Sequence, residues 1–90
     1  LNAADERIAA AIFALLAARA ADGTICPSEA ARALAGDEAA WRALMPEIRR
    51  VAAALAQAGS LRVTQHGEEV DALTARGPIR LGRPLERRGN

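Results

Sequence analysis

The chain has 90 residues and a mass of 9.4 kDa, which is one small domain and leaves no room for a two-domain enzyme or a large cofactor-binding fold. Apolar residues make up 51% of it, but 24 of them are Ala, so a core must be built from ten Leu, five Ile, three Val and single Met, Phe, Trp and Cys residues. Twelve Arg and no Lys stand against eleven acids for a net charge of +1, a balance that excludes a disordered polyelectrolyte and permits a polyanionic partner without demanding one.

In chain order, Asp5 or Glu6 marks a helix start, followed by Ile8, Ile12, Leu15, Leu16 and Arg19 at helical spacing. Asp22-Gly23 is the expected stop, with Gly23 in a left-handed closing conformation. With Ile8, Ile12 and Leu15 facing a core, Phe13 points about 140° away from them, at 100° per residue. Thr24-Ile25-Cys26 is a short extended stretch, and Pro27 with Glu29 opens a helix whose N-cap is Cys26. That helix runs through Ser28–Ala35 and ends at Gly36. Asp37 then caps a short helix expected at Asp37–Leu44. Pro46 interrupts the pattern, and a longer helix is expected at Pro46–Ala58, closed by Gly59. Trp41, Leu44, Met45, Ile48, Val51, Ala52 and Leu55 form one apolar stripe through both. Beyond Gly59 the period changes to two: Leu61, Val63 and Gln65 alternate with Arg62 and Thr64, and Ile79 and Leu81 alternate around Arg80. His66-Gly67 makes a turn, and Val70 and Leu73 punctuate a polar loop.

This order of helix, short strand, two helices and a hairpin predicts a mainly α fold with a small β-hairpin, a winged helix-turn-helix with Ile25 on a minimal third strand. A plain helical bundle would leave the alternation of Leu61/Val63 and Ile79/Leu81 unexplained. Residues 1–82 form the domain, and 83–90 are expected to be a flexible basic tail. Four stretches also carry a resemblance: TICPSEAARAL (Thr24–Leu34), WRALMPEIRRVA (Trp41–Ala52), LRVTQHGEEVD (Leu61–Asp71) and ARGPIRL (Ala75–Leu81). Together they resemble the bacterial domain-of-unknown-function family 3253, over roughly Arg7–Leu81. The resemblance implies a winged-helix-like fold and a bacterial source, and it transfers no activity.

Residues suited to nucleic acid fall on the longer helix and the hairpin. If Ile48, Val51, Ala52 and Leu55 face inward, Arg50, Ala53 and Gln57 face outward with Arg49 on the flank. Arg reads guanine and Gln reads adenine in the major groove. Arg62, His66, Arg76 and Arg80 could touch phosphates, although Glu68, Glu69 and Asp71 in the same loop oppose a polyanion. A structural alternative has Arg76 and Arg80 pairing with those acids to hold the loop. Arg83, Arg87 and Arg88 add basic charge beyond it.

The first helix suggests a second surface. Its eleven residues Ile8–Ala18 have no polar side chain, and Phe13 with Ala9 and Ala17 is a candidate homodimer interface. The same apolar run is too short to cross a bilayer, and no signal peptide is visible, so a cytoplasmic protein with no membrane partner is expected. Cys26, the single cysteine, excludes an intrachain disulfide. A helix N-terminus favours a thiolate there, yet a small capping thiol is the simpler reading. One Cys and one His give no metal-ligand cluster, and no glycine-rich loop precedes a helix, so no metal, cofactor or catalytic residue is expected. Two functions remain open: a regulator-like protein binding double-stranded DNA, and a protein–protein interaction module that does not bind DNA.

Overall fold

A computed structural model describes residues 1–85. In chain order these form helix α1 (Ala3–Ala17), strand β1 (Thr24–Ile25), helices α2 (Pro27–Leu34) and α3 (Glu38–Gln57), and strands β2 (Arg62–Gln65), β3 (Glu68–Glu69) and β4 (Arg80–Gly82). The helices pack on one another and on one face of an antiparallel sheet with strand order β1-β4-β2-β3. The chain is therefore mainly α with a small β-hairpin.

Local chemistry explains where each element begins and ends. Asn2 Oδ1 accepts the Asp5 N–H at 2.8 Å, which starts α1 at Ala3, ahead of the expected Asp5 or Glu6. The helix stops at Ala17, well before Asp22-Gly23. The amides of Ala18 and Arg19 donate back to the Leu15 and Leu16 carbonyls, tightening the last turn. Gly23 is not in a left-handed conformation; it is needed for space, since a Cβ there would lie 2.8 Å from Arg19 Cβ. Cys26 does occupy the N-cap of α2, and the Glu29 carboxylate accepts its backbone N–H at 2.8 Å.

The two helices expected on either side of Pro46 are one continuous helix. Asp37 Oδ1 accepts the Ala40 N–H at 2.8 Å, and α3 then runs 20 residues through Pro46. Proline removes one backbone donor, but Pro46 is exposed, so the carbonyl left without that partner can meet water. The apolar stripe on the opposite side holds the two halves in one register. Gly59, at φ +81°, closes the helix. Ser60 N–H donates to the Leu55 carbonyl at 2.9 Å and Gly59 N–H to that of Ala56 at 3.0 Å, a left-handed ending that only glycine adopts cheaply.

The sheet has two distinct faces. Ile25, Leu81 and Val63 lie side by side across β1, β4 and β2, and all three are buried. Pairing of β2 with β4 meets the expectation from sequence, as does Ile25 on a minimal strand. Strand β3 was not anticipated. His66 and Gly67 both have positive φ, 54° and 83°, which makes a tight two-residue turn and returns Glu68 and Glu69 onto Gln65 and Thr64. The core proper joins Ile8, Ile12 and Leu16 of α1 to Ile48, Val51, Ala52 and Leu55 of α3 and to the inner face of the sheet. Each fully buried branched side chain there contributes about 1.5–3 kcal/mol.

Candidate functional site

Neighbouring arginines on α3 turn in different directions, and neither guanidinium is free. Arg50 reaches Asp5 of α1 through two hydrogen bonds, Nη2 to Oδ1 at 2.5 Å and Nη1 to Oδ2 at 3.2 Å. It also donates to Glu47, from Nη2 at 2.7 Å and Nε at 3.0 Å. Asp5 is only 4% exposed, so this forked pair clamps α1 to α3. The Arg50 guanidinium holds the Asp5 carboxyl below its ordinary value of 3.8, and its own pKa is raised by Asp5 first and Glu47 second. The outward position expected for Arg50 is thus an internal ion pair at the surface.

Arg49 fixes the loop between β3 and β4. Its Nη1 donates to the carbonyls of Ala75 at 2.9 Å and Ala72 at 3.3 Å, and its Nη2 to that of Gly77 at 2.6 Å. Gln65 closes the other side, its Nε2 donating to the Arg76 and Pro78 carbonyls at 2.6 and 3.0 Å. Within the loop, Asp71 accepts the Leu73 amide on its side chain and the Ala75 amide on its carbonyl, which buries Ala72. A segment of polar sequence is therefore held firmly beside α3.

The remaining sequence candidates are scattered. Arg76, in that loop, is exposed and pairs with no acid among the described residues. Arg80 bonds Thr24, through Nε to Oγ1 at 2.9 Å and Nη2 to the carbonyl at 3.0 Å. So neither Arg76 nor Arg80 forms the pairing with Glu68, Glu69 or Asp71 that a structural role implied. It is Arg62 that faces Glu69, at a loose 3.6 Å. Gln57 is exposed at the end of α3 and shares a hollow with Arg50, Asp71 and Leu73. Arg62 and Arg80 lie on the sheet and do not converge with Arg50 and Gln57. Arg83 is not free either: its guanidinium donates to the Leu16, Ala20 and Ala21 carbonyls at 2.7, 3.1 and 3.4 Å. Arg87 and Arg88 lie outside the described residues.

On α1, Phe13 is 38% exposed and Ala17 is exposed, but Ala9 is buried in the core. The outward strip is Ala10, Phe13, Ala14 and Ala17. Cys26 and His66 are far apart, because they adjoin β1 and β3 at opposite edges of the sheet. The Cys26 sulfur accepts from Ser28 Oγ at 3.2 Å. Glu29 is held below its ordinary 4.5, first by the Cys26 amide and then by Arg19, which bonds it at 2.6 Å. Among the described residues no three His, Cys, Asp or Glu side chains gather as metal ligands, and no helix is long and apolar enough to cross a membrane.

One cluster was not anticipated. Trp41 has two guanidinium groups over its ring, Arg32 of α2 at 4.5 Å and Arg42 of α3 at 5.0 Å from the centroid. Arg42 also pairs with Glu38 at 2.7 Å, with its side chain 65% exposed, while Arg32 has no acidic partner among the described residues. Arg42 and Arg49 are seven residues apart, so they share one stripe of α3 about 10 Å in length. The stripe runs from the Arg32–Trp41–Arg42 cluster to the loop carrying Arg76. Trp41 reads in sequence as a core residue because it continues the apolar stripe, and only the crossing of α2 and α3 brings Arg32 to it.

No protein of curated function matches the chain. The family described as a protein of unknown function (DUF3253) matches it from residue 5 to residue 84, a span that opens on the buried Asp5, includes both halves of α3 and the loop that Arg49 holds, and ends just past β4. With nearly its whole length matched, the chain belongs to that family.

Proposed function

We propose that the chain is a winged-helix domain that binds double-stranded DNA as a regulator-like, non-catalytic protein of the bacterial cytoplasm. In this reading α2 and α3 are the helix-turn-helix, α3 enters the major groove, and the loop between β3 and β4 is the wing. The observation that carries it is the cationic stripe along α3: Arg32 and Arg42 over the Trp41 ring at one end, and Arg76 on the loop that Arg49 fixes at the other. Recognition helices meet bases through their N-terminal residues, and the N-terminal half of α3 has no buried residue. Guanidinium groups preset by an aromatic ring lose little freedom on meeting phosphate. Arg49 and Arg50 serve this surface by holding the wing and α1 in place, while Gln57 and the sheet arginines Arg62 and Arg80 lie beyond the stripe.

The test is fluorescence anisotropy on random-sequence duplex DNA at two salt concentrations. Micromolar binding that weakens steeply with salt is expected. Arg32→Ala, Arg42→Ala and Arg76→Ala should each lower the salt slope by about one, while Arg62→Ala leaves it unchanged. Absence of binding at low salt rejects the reading.

A second reading, a protein-interaction module, is favoured by the exposed side chains of Leu73 and Phe13 and by the acidic edge strand Glu68–Glu69. Self-association through Ala10, Phe13, Ala14 and Ala17 is its simplest form, and light scattering reads it directly. A dimeric mass lost in Phe13→Ser supports it; a monomer at high concentration rejects it.

A further inference from the structure

The outer face of the sheet holds a cleft that the DNA-binding reading does not use. Opposite the buried row of Ile25, Leu81 and Val63 lies the row Thr24, Gly82 and Arg62, which are paired residue to residue across β1, β4 and β2. Gly82, at the centre of this row, is buried, and a Cβ added there would press on Thr24 Cγ2 at 3.1 Å, so glycine is what lets the Thr24 side chain lie close against the sheet. Thr24 and Arg62 stand two strand spacings, about 10 Å, apart. With Phe13 of α1 and the Pro84-Leu85 segment they line a cleft of about 720 Å³, within the range of small-molecule sites.

Arg62 is the reactive feature of this cleft. Its guanidinium makes no hydrogen bond to any described residue, and its Nε is both shut off from solvent and without a hydrogen-bond partner. The carboxylate of Glu69 faces that Nε at 3.6 Å, beyond hydrogen-bond reach, and is mostly exposed. A part-buried cation lacking hydrogen bonds is an unsatisfied electrostatic demand. The other cation at the cleft, Arg83, is engaged by the carbonyls of Leu16, Ala20 and Ala21, and so anchors the start of the Pro84-Leu85 segment. Asp22, at the far wall, is the one carboxylate among the residues lining the cleft. The charge and the walls together select an occupant with an anionic head and an apolar body.

We propose that this cleft binds a small organic carboxylate, its head on the terminal nitrogens of Arg62 and its aromatic or short aliphatic body against Phe13, Pro84 and Leu85. The site stands independently of DNA binding, since none of these residues lies on the α3 stripe. The test is an amide-resolved NMR titration of the ¹⁵N-labelled full chain at neutral pH with phenylacetate and hexanoate, against the neutral phenylacetamide and hexanamide. Shifts confined to Phe13, Asp22–Thr24, Arg62 and Gly82–Leu85 are expected, with dissociation constants in about the millimolar range for so few atoms. Each carboxylate should bind about 10-fold tighter than its amide, and Arg62→Gln should erase that preference while leaving the rest of the spectrum in place. If Arg62→Gln does not fold, the acid-against-amide comparison in the natural chain decides alone. Equal binding of acid and amide, a preference that survives Arg62→Gln, shifts spread over Arg32, Arg42 and Arg76, or no shifts at tens of millimolar would each overturn the proposal.

Discussion

The two halves of α3 are built from similar residues and do different jobs. From Ile48 to Leu55 the helix has four buried side chains, and its arginines point into the protein's own polar groups. From Glu38 to Pro46 it has none, and its apolar residues Trp41, Leu44 and Met45 are only half-covered. Arg42 there lies on an aromatic ring and an exposed glutamate instead of on buried acid or backbone. Position along one helix, not residue type, decides whether an arginine holds the fold or stays exposed. The half that carries the core can present no free guanidinium, because the loop and α1 flank it closely enough to use both.

The largest expected break in this comparison is in packing. Ile48 of α3 is fully buried in the core, so Ile48→Ala should cost about 2–5 kcal/mol through lost transfer energy and a cavity. Leu44→Ala, four residues earlier on the same stripe, removes a half-covered side chain and should cost well under half as much. Urea unfolding of the two variants measures the difference, and equal losses would mean that the N-terminal half is part of the core after all.

Next in size is Arg49→Ala. Three loop carbonyls lose a charged donor, and hydrogen bonds to a charged group contribute about 1.5–3 kcal/mol in sum when some acceptors can turn to water. The loss should be local. Hydrogen exchange should rise for the amides of Leu73, Thr74 and Ala75, while those of Ile12 and Val51 stay protected. Arg42→Ala should alter neither set, since an exposed pair and an exposed ring contact contribute little to stability.

This division explains how much could be read from the chain. Periodicity located every helix, the inner face of the sheet and the pairing of β2 with β4, because burial imposes a period on the residues it selects. Three things escaped it. Pro46 announces a break, yet its ring lies on the exposed side of a helix whose opposite face is continuous. Asp5 looks like a first-turn acid, and nothing local says that an arginine 45 residues away will bury it. Glu68 and Glu69 look like loop residues because an edge strand with both side chains exposed has no apolar alternation to display. For the arginines of α3, helical spacing carries an angle but not the partners, which come from α1 and from the loop. The Arg32–Trp41–Arg42 cluster and the Thr24–Gly82–Arg62 row are both products of elements crossing, so no spacing along the chain encodes them.

The smallest effect concerns pH, and it isolates the electrostatic part of the difference between the halves. Asp5, clamped by Arg50, and Glu29, bonded by the Cys26 amide and Arg19, both have folded pKa values below their ordinary 3.8 and 4.5. The folded state then binds fewer protons than the unfolded chain in this range, so stability rises with pH through it. The contribution is complete above the ordinary carboxyl values and is lost as the pH falls through the lower folded ones. Melting temperature should therefore be flat near neutrality and decline below about pH 4, where these carboxyls take up protons. Asp5→Asn should flatten that decline by removing one of its sources. At neutral pH the same variant loses a buried ion pair, but Arg50 keeps Glu47 at 2.7 Å, so the cation is not stranded and the protein stays folded. Glu38→Gln, which removes the exposed partner of Arg42, should leave the melting temperature at neutral pH almost unchanged, because an exposed pair contributes little. A neutral-pH melting temperature that falls with Glu38→Gln and ignores Asp5→Asn would reverse the assignment of roles along α3, making the N-terminal half the one whose charges hold the fold.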